Sequence, residues 1–266
     1  MPELPEVETV ARTLRPHVQG WVIAGACLLR DSSLHPLSLR PEDLQGCTIT
    51  NVGRRGKLLL LELDAAQAVS PRVRGATGLR LAVHLRMTGS LLYEDQPGAF
   101  SGRAVHVVFS LTEGRLLYRD IRTLGCLWLV PSEGATGVKG YDNLGPDAIS
   151  PDFTTDRLYD LLKGCHRPVK MLLLDQTKVA GLGNIYVDEA LFRAGIRPMR
   201  HSDTVTQKEA ARLHEAIVAV LQEGLEHGGT TIRNFISSNG KEGQNQENLR
   251  VYGREGTPCT VCGTTI

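Results

Sequence analysis

Eight short runs rich in Val, Leu and Ile crowd residues 21–130, and the texture changes after Pro151. The runs cover residues 21–29, 48–52, 57–63, 79–85, 90–93, 105–111, 115–118 and 126–130. Gly53, Gly56, Gly89 and Gly114 punctuate them. Short strands with turn formers at this spacing predict a two-layer β-sandwich. Residues 131–140 read as a low-complexity loop. Beyond it, residues 155–163, 168–177, 184–193 and 206–227 carry helical periodicity. The last opens with a capping box, Thr206 to Glu209, and stops at Gly228-Gly229. The fold class is α+β, with a boundary near residue 150: a β-sandwich half over 1–150, a helical half over 151–230, and a small appendage over 231–266. No internal repeat is visible.

The sandwich is preceded by a helix that begins almost at the chain start. Over residues 5–19, Val7, Val10, Ala11, Leu14 and Val18 share one apolar face. Pro5 suits the first turn, and Glu6 and Glu8 suit the positive end of the helix dipole. Pro2 and Glu3 are left just outside. The start has no basic region and no apolar run, so it is not a signal peptide. The longest apolar stretches, such as 58–61, are far too short to span a membrane. Cytoplasmic residence is the expectation. A hydrophobic fraction of 41% is enough for a real core, whereas a net charge of +1 lends a nucleic-acid partner no support. Local clusters must carry any such case.

The first cluster is chemical. Met1 ahead of a small residue is normally trimmed in cells, leaving Pro2 as a free secondary amine. An α-amino group titrates near about 8, so a useful fraction is neutral at physiological pH. Such an amine can attack a sugar C1′, displace the base and collapse to an iminium. Glu3 is close enough in sequence to move protons. Read alone, the same residues are more simply a helix lead-in.

The motif decides between these readings. Pro2-Glu3-Leu4-Pro5-Glu6-Val7-Glu8-Thr9 resembles the opening signature of formamidopyrimidine-DNA glycosylases, whose first proline is the nucleophile and whose neighbouring glutamate is the acid/base. The related endonuclease VIII branch opens P-E-G-P-E, so Leu4 favours the purine-directed branch. Asn51-Val-Gly-Arg-Arg-Gly-Lys57 reads by itself as a solvated basic hairpin tip. The resemblance makes Lys57 the lysine that reaches the lesion's phosphate. His84-Leu-Arg-Met-Thr-Gly89 resembles the pattern H-L-G-M-[ST]-G. Met87 would then enter the gap left by the extruded nucleotide, and His84 would touch backbone phosphate. A gap-filling core methionine and a structural histidine are the plainer readings.

Asp120-Ile-Arg-Thr-Leu-Gly125 resembles D-P-R-[RK]-F-G, which assigns Arg122 to the orphaned partner base and Leu124 to the wedge. Ile121, Thr123 and Leu124 depart from that pattern. The upstream Phe100-Ser-Gly-Arg103 lacks a histidine that the family often carries. Lys170-Met-Leu-Leu-Leu-Asp-Gln-Thr-Lys-Val-Ala-Gly-Leu-Gly-Asn-Ile-Tyr186 resembles the helix–two-turn–helix element of these enzymes. Gly181 and Gly183 allow a tight turn whose amides suit a phosphate. Asn184 adds a side-chain donor and Lys170 a charge. Gly228-Gly-Thr-Thr and Val251-Tyr-Gly-Arg-Glu-Gly extend the resemblance over nearly the whole chain. Residues 237–248 stand where the family closes a flap over the base, though their composition equally suits disorder.

Of six cysteines, Cys27, Cys47, Cys126 and Cys165 stand alone and read as reduced packing residues. Cys259 and Cys262 form half of a zinc ribbon. Structural zinc takes four ligands, with a second pair expected roughly 15–20 residues on. His201, His214 and His227 are poorly spaced to replace it. Either the sequence stops short of the natural one, the reading we favour, or the finger is lost. In both cases the finger's phosphate-clamping arginine is missing, and weak DNA binding with poor strand cleavage is expected.

The resemblance implies a monomeric, cytoplasmic, zinc-containing enzyme that excises oxidised purines, such as 8-oxoguanine and formamidopyrimidines, from duplex DNA and nicks the strand by β,δ-elimination. Alternatives are a damaged-DNA-binding protein without catalysis, an endonuclease VIII-like enzyme for oxidised pyrimidines, and an N-terminal-proline tautomerase.

Overall fold

The computed structural model describes all residues except 77, 99, 101, 103, 133 and 135, and only the backbone of 139. Helix α1 (Leu4–Val18) starts one residue earlier than the periodicity suggested, because the Glu6 carboxylate accepts the Glu3 N–H at 2.8 Å and closes the first turn. Its buried stripe, Val7, Val10, Ala11, Leu14 and Val18, is the one read from the sequence.

All eight expected strands form. They are β1 (Ile23–Leu28), β2 (Thr48–Arg55), β3 (Leu58–Asp64), β4 (Leu79–His84), β5 (Gly89–Glu94), β6 (Val105–Leu111), β7 (Arg115–Asp120) and β8 (Cys126–Pro131). They build two antiparallel four-stranded sheets in the orders β1-β6-β7-β5 and β2-β3-β4-β8. Between the sheets lie Leu59, Leu61, Val83, Leu91, Phe109 and Tyr118, and α1 caps this core. The second sheet is covered on its other face too. There Leu58, Leu60, Ala82 and Trp128 pack under Val138 and Tyr141. Burial on both faces explains why β3 opens with an unbroken leucine run rather than an alternation.

Tyr141 belongs to a short helix, α2 (Lys139–Asp142), inside the stretch expected to start as a loop. Four helices follow: α3 (Thr155–Lys163), α4 (Val169–Leu174), α5 (Asn184–Ala194) and α6 (Gln207–Glu226). The Thr206–Glu209 capping box of α6 is formed. Helix α4 ends three residues before the expected 177. Asp175 breaks it, its carboxylate accepting the Thr177 N–H at 3.0 Å in a side-chain turn. Leu4 from α1 packs into the helical core beside Leu173, Leu182 and Leu191. The chain start is therefore the seam between the two halves.

The polar stretch after α6 is docked, contrary to its disorder-like composition. Phe235 enters the sandwich core, the Ser238 hydroxyl and N–H both reach the Thr13 hydroxyl, and the Tyr93 N–H donates to the Ser238 carbonyl. Cys27 is exposed on β1, so it is not the packing residue expected; Cys47 is buried. Among the described residues no helix is long and apolar enough to cross a membrane.

Candidate active site at the seam

Strand register brings the expected site loops to one end of the sandwich. Leu58 pairs with His84, and His84 with Cys126, so Lys57, His84 and Gly125 stand at the same level. Gly89 pairs with Asp120, which sets the β4–β5 and β7–β8 loops side by side. Buried Asp120 ties them together. Its carboxylate accepts the Thr88 hydroxyl and the N–H groups of Arg122, Leu124 and Gly125 at 3.2, 2.8 and 2.7 Å. These bonds hold it below the usual carboxylate range despite burial. The loop tips stay open: Met87 is 45% exposed, Leu124 46% and Ile121 68%. Part of the Phe100–Arg103 segment, residues 101 and 103, lies outside the described residues.

Thr123 sits in this second loop at φ +54. A β-branched residue in the left-handed region costs on the order of 1–2 kcal/mol. Thr123→Asn, which tolerates that backbone, is expected to raise unfolding stability by about 1 kcal/mol. A urea midpoint equal to or below that of the parent would contradict this.

Lys57 is at the tip of the β2–β3 hairpin, but the tip is not solvated. Lys57 is 6% exposed. Arg54 beside it is pinned by Glu8 at 3.1 Å and by Asp147. Burial pulls the Lys57 ammonium down from its ordinary range, with Glu3 and Glu6 opposing and Arg86 assisting. His84 is uncharged. Burial, then Arg86 and Lys57, push it down to about 3. Its Nδ1 accepts the Arg86 N–H at 3.1 Å, which leaves Nε2–H as the donor.

Glu3 is 3% exposed and reaches across the seam. Its carboxylate accepts the N–H groups of Gly183 at 2.7 Å and Ile185 at 3.0 Å, at the start of α5. Burial raises it to about 7, opposed by Lys57 and those amides and assisted by Glu6. A carboxyl poised near neutrality can give or take a proton. The cradle depends on Gly183, since a Cβ there would fall 2.4 Å from the Glu3 Cδ. Pro2 is buried beside Glu3 in the chain, while Met1 is 44% exposed.

Two sequence expectations change here. The two glycine amides of the Gly181–Gly183 turn are not free for a phosphate: the Gly183 N–H is taken by Glu3 and the Gly181 N–H by the Gln176 side chain at 3.0 Å. Asn184, at the first turn of α5, keeps an exposed side chain. Lys170 is not a free cation, because its Nζ pairs with Asp188 at 2.7 Å.

The sequence did not disclose the buried roles of Glu6, Asn245 and Glu189. Glu6, taken as a dipole partner, is a buried hub. It accepts the Tyr186 hydroxyl at 2.7 Å and the Thr230 N–H at 2.7 Å. Asn245 closes the same network onto the Thr230 hydroxyl at 2.9 Å. Glu189 gathers the N–H groups of Arg250, Val251 and Tyr252 at 2.9 Å each and fixes the C-terminal segment to α5. A carboxylate near the chain start, and one just after Asp188, are the only signals that pointed to them.

Cys259 and Cys262 lie in a knuckle-like turn in which the Gly263 N–H returns to the Cys259 carbonyl at 3.0 Å. Hydrogen bonding from Thr264 holds the exposed Cys262 thiol below its ordinary range. Among the described residues no third His, Cys, Asp or Glu joins them to make a metal-binding group. Two thiols do not complete the four-ligand shell of structural zinc. A cavity of about 520 Å³ between α5, α6 and the C-terminal segment is lined by Tyr186, Glu189 and Asn245 of these networks, but by none of Glu3, Glu6 or Lys57.

Comparison with known proteins identifies the family and the fold. The sequence model of the formamidopyrimidine-DNA glycosylase N-terminal domain fits residues 1–127, and that of the formamidopyrimidine-DNA glycosylase H2TH domain fits residues 144–236. A formamidopyrimidine-DNA glycosylase from Pelotomaculum thermopropionicum is 46% identical over all of this chain and 93% of its own length. One from Xanthomonas campestris is 42% identical with the same coverage. The MutM (Fpg) structure from Thermus thermophilus superposes with a TM-score of 0.85 at 37% identity, covering 99% of this chain and 92% of that one. A Lactococcus lactis Fpg mutant in complex with Fapy-dG-containing DNA gives 0.86 at 32% identity, covering 100% and 93%. With the opening motif, the sandwich, the helical half and relatives matched over the whole chain, this chain belongs to the formamidopyrimidine-DNA glycosylase family.

Proposed function

We propose that the chain is a bifunctional DNA glycosylase and lyase that excises oxidised purines from duplex DNA and then nicks the strand. The observation that carries this is the buried Glu3 carboxylate, next to Pro2 in the chain, cradled by the α5 amides and within the electrostatic reach of Lys57. Relatives solved with Fapy-dG and with carbocyclic 8-oxo-G DNA support the substrate class.

In this reading the trimmed, neutral Pro2 nitrogen attacks C1′ of the extruded nucleotide. The C1′–N bond breaks, its electron pair leaves with the base, and Glu3 manages the accompanying proton. The sugar ring opens to an iminium between Pro2 and C1′, which activates the C2′ proton for loss. β-Elimination expels the 3′ phosphate, δ-elimination the 5′ phosphate, and water releases Pro2. Lys57 holds phosphate, and His84 offers it a neutral N–H donor. Met87, Arg122 and Leu124 fill the void, their open loops being braced by Asp120. Asn184 and Lys170 anchor the backbone, with Asp188 offsetting part of the Lys170 charge.

The same reading divides the chain into a catalytic sandwich over 1–150, a helical DNA-binding unit over 151–230, and a flap and finger over 231–266. Cys259 and Cys262 would supply two of four zinc ligands, and the enzyme would act in the cytoplasm.

The test is borohydride trapping on duplex DNA with 8-oxoguanine opposite cytosine, using protein freed of Met1. A covalent protein–DNA adduct is expected; its absence overturns the proposal in favour of a binder without catalysis. Lys57→Ala should weaken lesion binding and flatten the salt dependence by about one unit of slope. An unchanged slope would refute the phosphate role.

A further inference from the structure

We infer that Arg86 is a second phosphate ligand of the lesion strand, positioned next to Lys57 by a turn that holds it in a left-handed backbone conformation. The inference rests on the DNA-repair reading above. Arg86 lies in the β4–β5 loop between His84 and Met87, at φ +52, a region that residues with side chains rarely adopt. The turn is locked at both ends: the Arg86 N–H donates to the His84 Nδ1 at 3.1 Å, and the Gly89 N–H returns to the Leu85 carbonyl at 2.9 Å. The motif pattern this segment resembles has glycine at that place, the residue for which such a φ carries no strain. This chain instead presents a guanidinium from the turn.

That guanidinium is exposed, and among the described residues it makes no ion pair or hydrogen bond. Arg54, Arg80, Arg115, Arg193 and Arg200 all hold a carboxylate. Strand register sets Arg86 close to Lys57: Leu58 pairs with His84, and the Arg86 N–H is bonded to that histidine, so the Arg86 charge is felt at Lys57 and His84. An unpaired cation beside a buried lysine and a neutral histidine donor is a repulsive arrangement that an anion relieves. In duplex DNA the anion is a backbone phosphate, for which the guanidinium fork is suited. The lesion strand is favoured because Lys57 and His84 face it in the proposed reaction.

The experiment compares processed wild type, Arg86→Gly and Arg86→Gln on a duplex holding a tetrahydrofuran abasic analogue, over a range of salt. Arg86→Gly suits φ +52, so its melting temperature should equal or exceed that of wild type. Both variants should lose about 0.9 from the slope of log affinity against log salt, the loss of one phosphate contact. A methylphosphonate replacing one of the two phosphates flanking the analogue should weaken wild type and leave the variants unaffected, the non-additivity of a direct pair. An unchanged slope, or additive losses at both phosphates, overturns the assignment. Trapping distinguishes this from failure of the parent reading. If wild type forms the borohydride adduct and the Arg86 variants bind like it, only Arg86 is misassigned; if wild type neither binds nor traps, both fall.

Discussion

Glu3→Gln is expected to abolish base excision while leaving the chain folded, and to remove a pH dependence of its stability. The first effect follows from position: a carboxyl raised to about 7, buried against the start of α5, can manage protons at physiological pH, and an amide cannot. General acid–base assistance is worth roughly 10²–10⁴-fold, and single-turnover excision should fall at least that far. The second effect follows from linkage. Folding raises the Glu3 pKa from 4.5 to about 7. Between those values the folded chain holds a proton that the unfolded chain has released. The favourable contribution is complete below about pH 4.5 and disappears as pH rises through about 7, a change on the order of 3 kcal/mol. Glutamine does not titrate, so its urea-unfolding free energy should lack that decline. It also offers one acceptor oxygen to the two amides of Gly183 and Ile185, which costs about 1–3 kcal/mol at every pH. Excision at the parent rate would remove Glu3 from the chemistry. Parallel pH–stability curves would show that burial does not raise its pKa.

Gly183→Ala should come close to the same loss of activity without touching an ionisable group. The added methyl would fall 2.4 Å from both Cδ and Oε1 of Glu3 and 2.8 Å from Oε2. The helix start cannot easily retreat, because the neighbouring Gly181 carbonyl accepts the Leu4 N–H at 3.0 Å. The carboxylate must leave its cradle, and overpacking of this kind costs typically 1–3 kcal/mol. Excision is expected to drop at least a hundredfold, in line with loss of the acid/base group. Placed on a Glu3→Gln background, the alanine should add little further loss, because both act through one contact. Full activity in Gly183→Ala would mean that the cradle is not the working position of Glu3.

The contrast between these residues shows what local sequence can and cannot convey. Strands and helices were legible because apolar spacing reports which face is buried, and the leucine run of β3 even hinted at cover on both sides. Lys57, His84, Met87 and Arg122 were legible as motifs in turns, and their convergence follows once strand register is known. The cradle was not. Glu3 and Gly183 are separated by most of the chain, and Gly183 looked like a phosphate turn because a glycine before a helix has the same local signature whichever anion fills it. Residues 237–248 suited disorder as well as a flap for a related reason: they contain no large apolar residue, and polar side chains reveal nothing about a partner as distant as Thr13. Lys170 read as a free charge because its partner Asp188 sits one helix further on.

The dependence of the chain start on residues 183–185, and of α1 on Ser238, gives this protein an order of assembly during its own synthesis. The ribosome delivers Pro2 and Glu3 first, yet the Glu3 carboxylate has no seat until α5 has emerged. On the proposed chemistry, an unfinished polypeptide would carry a nucleophile whose proton partner is not yet in place, and the reaction would await completion of the helical half.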